Sequence, residues 1–353
     1  MIGPSEPKRV LVIQLRRLGD VVLSTSLLDH LHQVYPAAAL DFLVFPLAAP
    51  LLDHHALVST RIICDRAHPA TMWSLIRSRS YDWIIDVQSS PRTAAISLFS
   101  RAPMRVGWHV RGWWWVYTHT LPREGRPAEY VVRERQRLLE LLGVPHVPVR
   151  TRLYLSAEEL EQGQSDAIAL GITRGQPRVG LLLSAGTPVK QWTIGGYAEL
   201  ATRLASSGVA PVVFRGPGDD ALVAELAART RAAVIAPPLD LRRFLGLMKT
   251  CQAFVSGDTG PAHMAVALDV PAVTLFGSTN PVGWSAGAPA SIVVRAEHVP
   301  CLGCHLDICP VGHECMEELT PATVFDAVQG VLDRRRPEAS TGASPPLAPQ
   351  RAT

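Results

Sequence analysis

Short apolar runs rich in branched residues alternate along this chain with longer stretches whose apolar positions recur every three or four residues, the mark of strands alternating with helices. Residues 9–15 (RVLVIQL) read as a buried strand, 16–20 (RRLGD) as a loop and 21–35 as a helix. Further strands are predicted at 40–45, 61–64 and 83–87, with helices at 71–79 and 129–142, the last stopped by Gly143 and Pro145. After a turn-rich patch at 171–177 the alternation resumes. Strands read at 179–183, 211–214, 233–235, 252–255, 272–276 and 291–294, and helices at 194–206, 219–230, 239–248 and 321–332. Two such series predict an α/β protein of two facing Rossmann-like domains, with mostly parallel sheets and a ligand cleft between them.

Length agrees, since 353 residues at 47% hydrophobic content exceed one ordinary core. The predicted organisation is a flexible terminus at 1–8, one domain at 9–172, a second at 177–335 and a disordered Pro/Ala-rich tail at 336–353. No run of about 18 apolar residues and no signal-peptide core occurs, so a cytoplasmic location is expected. Charge is uneven. Residues 1–150 carry 18 Lys and Arg against 12 Asp and Glu, a net of +6, whereas 151–353 carry 16 against 19, a net of −3. A basic first half suits an anionic partner, with ordinary solvated charge as the alternative. The arginines are scattered and no recognition motif accompanies them, so nucleic acid is not expected.

The most informative stretch is 255–281, VSGDTGPAHMAVALDVPAVTLFGSTNP. It reads as strand, small-residue turn at Asp258-Thr259-Gly260, short helix opened by Pro261, and second strand. The free N–H groups of such a first turn favour an anion, and His263 stands beside them; a capped crossover without ligand is the alternative. Asp20, where the first loop enters a helix, is either an N-cap or a general base at a strand end facing the cleft. Gly19 is the only glycine in that loop, which excludes a dinucleotide fingerprint. In SAGTPVKQW, Thr187 and Lys190, one of only three lysines, can both reach a phosphate. Asp219 opens a later helix as a cap or a sugar-hydroxyl acceptor. Cys301, Cys304, Cys309 and Cys315, spaced C-x2-C-x4-C-x5-C, are a candidate structural zinc or iron–sulfur site. Residues 106–119 (VGWHVRGWWWVYTH) hold four of the eight tryptophans, which suits either a membrane or acceptor contact or a packed strand over the cleft.

Together RVLVIQLRRLGDVVLSTSLL, GTPVKQW, SGDTGPAHMAVALDVPAVTLFGSTNP and CLGCHLDICPVGHECMEELTPATV resemble the ADP-heptose:lipopolysaccharide heptosyltransferases, glycosyltransferase family 9, over nearly the whole chain. The resemblance implies a GT-B fold and inverting transfer of heptose from ADP-heptose to the lipopolysaccharide inner core, on a lipid A-borne acceptor at the cytoplasmic face of the inner membrane. It makes Asp20 the general base and Lys190 the diphosphate holder. Thr187, Asp219, Asp258, Thr259, Gly260 and His263 become the nucleotide-sugar pocket, and no metal or other cofactor is required for catalysis. Arg16, Arg17 and Arg92 are the candidate acceptor-binding residues. Two departures stand out: Trp192-Thr193 where the family commonly has Trp-Pro, and Asp219 where it has Glu, one methylene longer. The alternatives are a GT-B transferase or epimerase using another nucleotide sugar, and a non-catalytic lipopolysaccharide-binding protein.

Overall fold

The structure, a computed structural model, describes residues 6–65, 67, 69–122, 129–285 and 290–335. Residues 1–5 and the tail expected to be disordered, 336–353, lie outside the described residues. The amino-terminal half runs β1 (Arg9–Ile13), α1 (Leu18–Val34), β2 (Ala39–Val44), β3 (Thr60–Ile63), α2 (Pro69–Ser78), β4 (Trp83–Asp86), α3 (Pro91–Ser100), β5 (Met104–His109), β6 (His119–Pro122) and α4 (Val131–Glu140). The carboxyl-terminal half opens with α5 (Ala157–Ala169), β7 (Arg178–Leu182), α6 (Ile194–Ser206), β8 (Ala210–Phe214), α7 (Asp220–Arg229), β9 (Val234–Ile235) and α8 (Leu241–Lys249). It continues through β10 (Ala253–Gly257), α9 (Gly260–Ala267), β11 (Ala272–Leu275), α10 (Pro281–Trp284), β12 (Ser291–Val294), α11 (Glu314–Glu317) and α12 (Pro321–Arg335).

Each half builds one six-stranded sheet, ordered β3-β2-β1-β4-β5-β6 and β12-β11-β10-β7-β8-β9, and every pairing is parallel. The expected two-sheet α/β architecture is found. Both sheets have the same winding, reversing direction between β1 and β4 and between β7 and β10. Crevices therefore open at the carboxyl ends of β1 and β10, where the two richest motifs lie.

Side-chain alternation explains why both faces of each sheet are dry. In β1, Val10 and Val12 join the cluster with α1 and α4, while Leu11 and Ile13 join the cluster under α2. In the second sheet, Phe214 and Phe254 face one way and Val213 and Val255 the other. Helices on both sides of a parallel sheet demand such unbroken apolar strands. The apolar contacts of α1 and of α8 and α9 run into one another, so a single cluster spans both halves.

Several elements differ from the expectation. The first helix begins at Leu18 rather than 21, which puts Asp20 inside its first turn; the N-cap is Arg17, with no side-chain cap bond. Helices α3 and α5 were not foreseen, although Ser90 and Ser156 each form a capping box with the residue three later. The tryptophan-rich stretch splits. Trp108 is buried in β5 with its indole donating to Val87 O at 2.8 Å, and Trp113 donates to Ser89 O at 2.9 Å. Trp114 and Trp115 lie exposed in a one-turn 3-10 helix (Trp114–Val116).

Helix α5 lies across α8 at closest backbone approach: a Cβ at Gly163 would fall 2.3 Å from Gly246 O. Arg243 pairs with Asp166 beside this crossing, and Arg242 reaches Glu159, Tyr154 O and, in the other half, Pro50 O at 2.9 Å. Because backbone rather than a flexible side chain blocks the position, Gly163→Ala is expected to cost about 1–3 kcal/mol. Denaturant titration checks this, with the exposed neighbour Ser165→Ala within about 0.5 kcal/mol of the parent.

Candidate active site

The site assembles where the amino-terminal ends of α1 and α9 meet. A Cβ at Gly19 would lie 2.9 Å from Gly260 Cα and 3.2 Å from the His263 ring, so only glycines let the two first turns touch. Asp20 and His263 follow directly from that contact, one on each helix. Helix dipoles place partial positive charge at both ends, and an anion is the natural occupant of such a junction.

On the α9 side, Asp258 opens the turn after β10, nearly buried. Lys190, from the 3-10 turn Pro188–Lys190, donates to Asp258 Oδ2 at 2.7 Å, and Thr279 Oγ1 donates to the same oxygen at 3.0 Å. An ammonium has three donors, so pairing with Asp258 leaves Lys190 able to bind a further anion. Thr259 is the N-cap of α9 without a cap bond from its side chain, and Pro261 is the second helical residue rather than the first. The hydroxyl oxygens of Thr187 and Thr259 are both buried and find no partner among the described residues. Two orphaned hydroxyls near one ammonium and one free helix end are costly unless a ligand satisfies them.

His263 is half-buried and senses the whole constellation. Burial lowers its pKa below the ordinary imidazole value; Arg135 and Lys190 push the same way, and Asp258 and Asp20 only partly offset them. It is therefore a neutral imidazole at pH 7, 6.4 Å from the Trp284 ring. A small cavity beside it is lined by Leu23, Tyr130, Thr151, Ala262, Trp284 and others. Asp20 and Lys190 thus act on one ring from opposite halves of the chain.

On the α1 side the surprise is Arg135 of α4, which holds Asp20 by an ion pair of 2.8 Å. Sequence reading passed over it, though it stands with Gln136 on the apolar stripe of α4, among buried Val131, Val132, Leu138 and Leu139. A charge on an apolar stripe was the available signal. Arg16 and Arg17 are exposed in the loop before α1, with Arg17 close to Gly186, and Arg92 lies exposed at the start of α3 over the Phe45 ring. Asp219 is almost fully buried; its Oδ2 accepts from Gly216 N at 2.7 Å and Ser184 Oγ at 2.9 Å. That carboxylate oxygen organises its own loop.

The cysteines do not form a ligand set. Burial, then the adjacent Cys301, Cys304 and Cys309, push the Cys315 thiol up to about 11, and all four are free. Among the described residues no three His, Cys, Asp or Glu side chains gather to hold a metal ion. As placed here, the donor set does not fit a zinc or iron–sulfur centre. No helix of the described residues is long and apolar enough to cross a membrane.

The model of glycosyltransferase family 9 (heptosyltransferase) matches residues 70–313. The chain belongs to that family. It is 28% identical over 308 residues to lipooligosaccharide heptosyltransferase 2 of Haemophilus ducreyi, covering 81% of this chain and 88% of that protein. Lipopolysaccharide heptosyltransferase 2 of Salmonella typhimurium is 25% identical, with 92% and 98% covered. Among solved structures, a family 9 glycosyltransferase from Veillonella parvula superposes with TM-score 0.82 at 20% identity, covering 93% of this chain and 97% of that one. Escherichia coli ADP-heptose lps heptosyltransferase II gives 0.75 at 23%, with 92% and 99% covered. The family 9 fold is thus shared across both sheets.

Lys190 is the cation paired with Asp258, and its removal would leave that carboxylate without its countercharge, to repel any anion bound at this helix end. Lys190→Met should weaken binding of ADP about ten-fold to hundred-fold by isothermal titration calorimetry. Unchanged affinity would place the anion elsewhere.

Proposed function

We propose that this family 9 glycosyltransferase transfers a heptose from ADP-heptose to the inner core of lipopolysaccharide, with inversion at the anomeric carbon. The observation that carries the reading is the convergence of Asp20 from α1 and Lys190 from the other half on the His263 end of α9. The curated relatives, named as lipopolysaccharide or lipooligosaccharide heptosyltransferases, support the substrate class.

In this reading an acceptor hydroxyl oxygen attacks the anomeric carbon from the face opposite the diphosphate. Asp20 takes the hydroxyl proton, the bond from that carbon to the diphosphate oxygen breaks, and ADP leaves with the electron pair. Lys190, the hydroxyls of Thr187 and Thr259 and the Gly260 N–H at the start of α9 meet the charge that develops on the leaving group. Neutral His263 can donate one hydrogen bond there without adding a second cation. Asp258 keeps Lys190 in place, and Asp219 sets the loop at the carboxyl end of β8. Arg16, Arg17 and Arg92, at the cleft edge of the basic half, suit an acceptor carrying carboxylate and phosphate.

An acceptor borne on lipid A implies contact with a bilayer, and one face fits it. Phe99 (45% exposed) and Leu98 project from α3, Phe99 edge-on to Trp73, and Trp114 (50%) and Trp115 (59%) project from the adjoining turn. Arg92, Arg101 and Arg111 are exposed around them. Between residues 69 and 122 the only acidic groups are Asp82 and Asp86, bonded to Lys8 N and Arg9 N and to Tyr117 respectively. Aromatics amid arginines suit an anionic lipid interface.

Incubation with ADP-heptose and truncated core acceptors, read by mass spectrometry, should give a mass gain of one heptose, and Asp20→Asn should lower the rate by about 10²–10⁴ with ADP affinity retained. Turnover with UDP- or GDP-sugars alone would remove the heptose assignment; an unchanged Asp20→Asn rate would remove the base. Separately, Trp114→Ser/Trp115→Ser should lose co-flotation with phosphatidylglycerol-containing vesicles while keeping transfer to a soluble, delipidated acceptor. Equal flotation of variant and parent would reject this face.

A further inference from the structure

Arg135 makes a set of contacts that an ordinary structural arginine does not require. Its Nη2 donates to Asp20 Oδ1 at 2.8 Å, and its Nη1 donates both to Asp20 O at 2.8 Å and to Ser24 Oγ at 2.9 Å. Ser24 Oγ in turn donates to Asp20 O at 2.8 Å. One guanidinium, only 4% exposed, thus grips the side chain and the main chain of the same aspartate from 115 residues away. Among the described residues Asp20 Oδ2 accepts no hydrogen bond, and the Asp20 side chain keeps 21% of its surface open. The grip uses one carboxylate oxygen and leaves the other unbonded among the described residues.

We infer that Arg135 is the positioning residue of this active site: it fixes Asp20 through Oδ1 and presents Oδ2 to the acceptor hydroxyl. This rests on the reading of Asp20 as the general base. A carboxylate in the first turn of a helix has free χ1 and χ2 rotation, and a base must sit within hydrogen-bond reach of the proton it takes. The planar fork removes that freedom, because turning Asp20 away breaks the Nη2 bond while Nη1 stays fixed on the backbone oxygen. The other charged or titratable groups at this junction are Lys190 and Asp258 across α9, the neutral His263 on α9 itself and Arg16 and Arg17 on the preceding loop; Tyr130, at the start of α4, is the nearby phenol. Of these only Arg135 bonds the Asp20 side chain among the described residues. Substrate contact is not its role, since its own side chain is enclosed between α1 and α4.

The test compares the full-length parent with Arg135→Met, Arg135→Lys, Asp20→Asn and the Arg135→Met/Asp20→Asn pair, each checked for parental circular dichroism, with kcat and donor KM measured. Arg135→Met should lower kcat about ten-fold to hundred-fold with donor KM within about three-fold. Arg135→Lys keeps the cation and loses the fork, so its kcat should also fall with donor KM near that of the parent. Adding Arg135→Met to Asp20→Asn should lower the residual rate no further, because the two act as one unit. A parental rate in folded Arg135→Met, or a multiplicative loss in the pair, overturns the proposal while leaving Asp20 as base. If Arg135→Met does not fold, Arg135→Lys decides: a parental kcat overturns the proposal and a lowered kcat with a parental donor KM supports it. An active Asp20→Asn overturns the reading of the base, and this inference with it.

Discussion

The contact between Gly19 and Gly260 is the constraint on which the site depends. Two helices from different sheets meet at their amino-terminal ends, with no side chain between them. Both ends carry unsatisfied N–H groups and partial positive charge, an arrangement that repels itself unless something negative lies nearby. The chain supplies Asp20 and Asp258 as internal anions, then balances each with a cation, Arg135 and Lys190. Two matched ion pairs stand at either side of a neutral imidazole. In the proposed reaction a diphosphate arriving there would find charges already organised, so little reorganisation would be needed as charge develops.

The two pairs differ in burial, and the difference separates their tasks. Arg135 is enclosed and bonds Asp20 O, Asp20 Oδ1 and Ser24 Oγ, a geometry suited to holding something still. Lys190 keeps about a quarter of its side chain open and bonds one oxygen of Asp258, a geometry suited to a cation that shares its charge with a ligand. Guanidinium and ammonium are thus used for what each does well.

Local signals in the sequence were read easily because they need only local physics. The strand, turn and helix around Asp258 to His263 follow from an apolar run, small residues and an early proline, and the parallel sheets follow from unbroken branched strands. What depends on distant packing was less visible. Asp20 resembled an N-cap because Asp favours that position, yet the helix starts at Leu18 and its carboxylate is held by α4 instead. Arg135 has no neighbour in sequence that announces its partner. The run Trp113, Trp114, Trp115 cannot be assigned faces from a strand's alternation, since a 3-10 turn breaks the register there. The cysteine spacing suggested a metal, but spacing does not fix where four thiols point, and among the described residues no three of them are placed to hold an ion.

The central claim is that the α9 end, Thr187, Thr259 and Lys190 together form the seat of the leaving diphosphate. A crystal structure with ADP bound tests it most directly. The account predicts phosphate oxygens at about 3 Å from Thr259 Oγ1, Thr187 Oγ1 and Lys190 Nζ, so that both orphaned hydroxyls gain partners. ADP bound away from α9, with those hydroxyls still unpartnered and Lys190 wholly on Asp258, would contradict it.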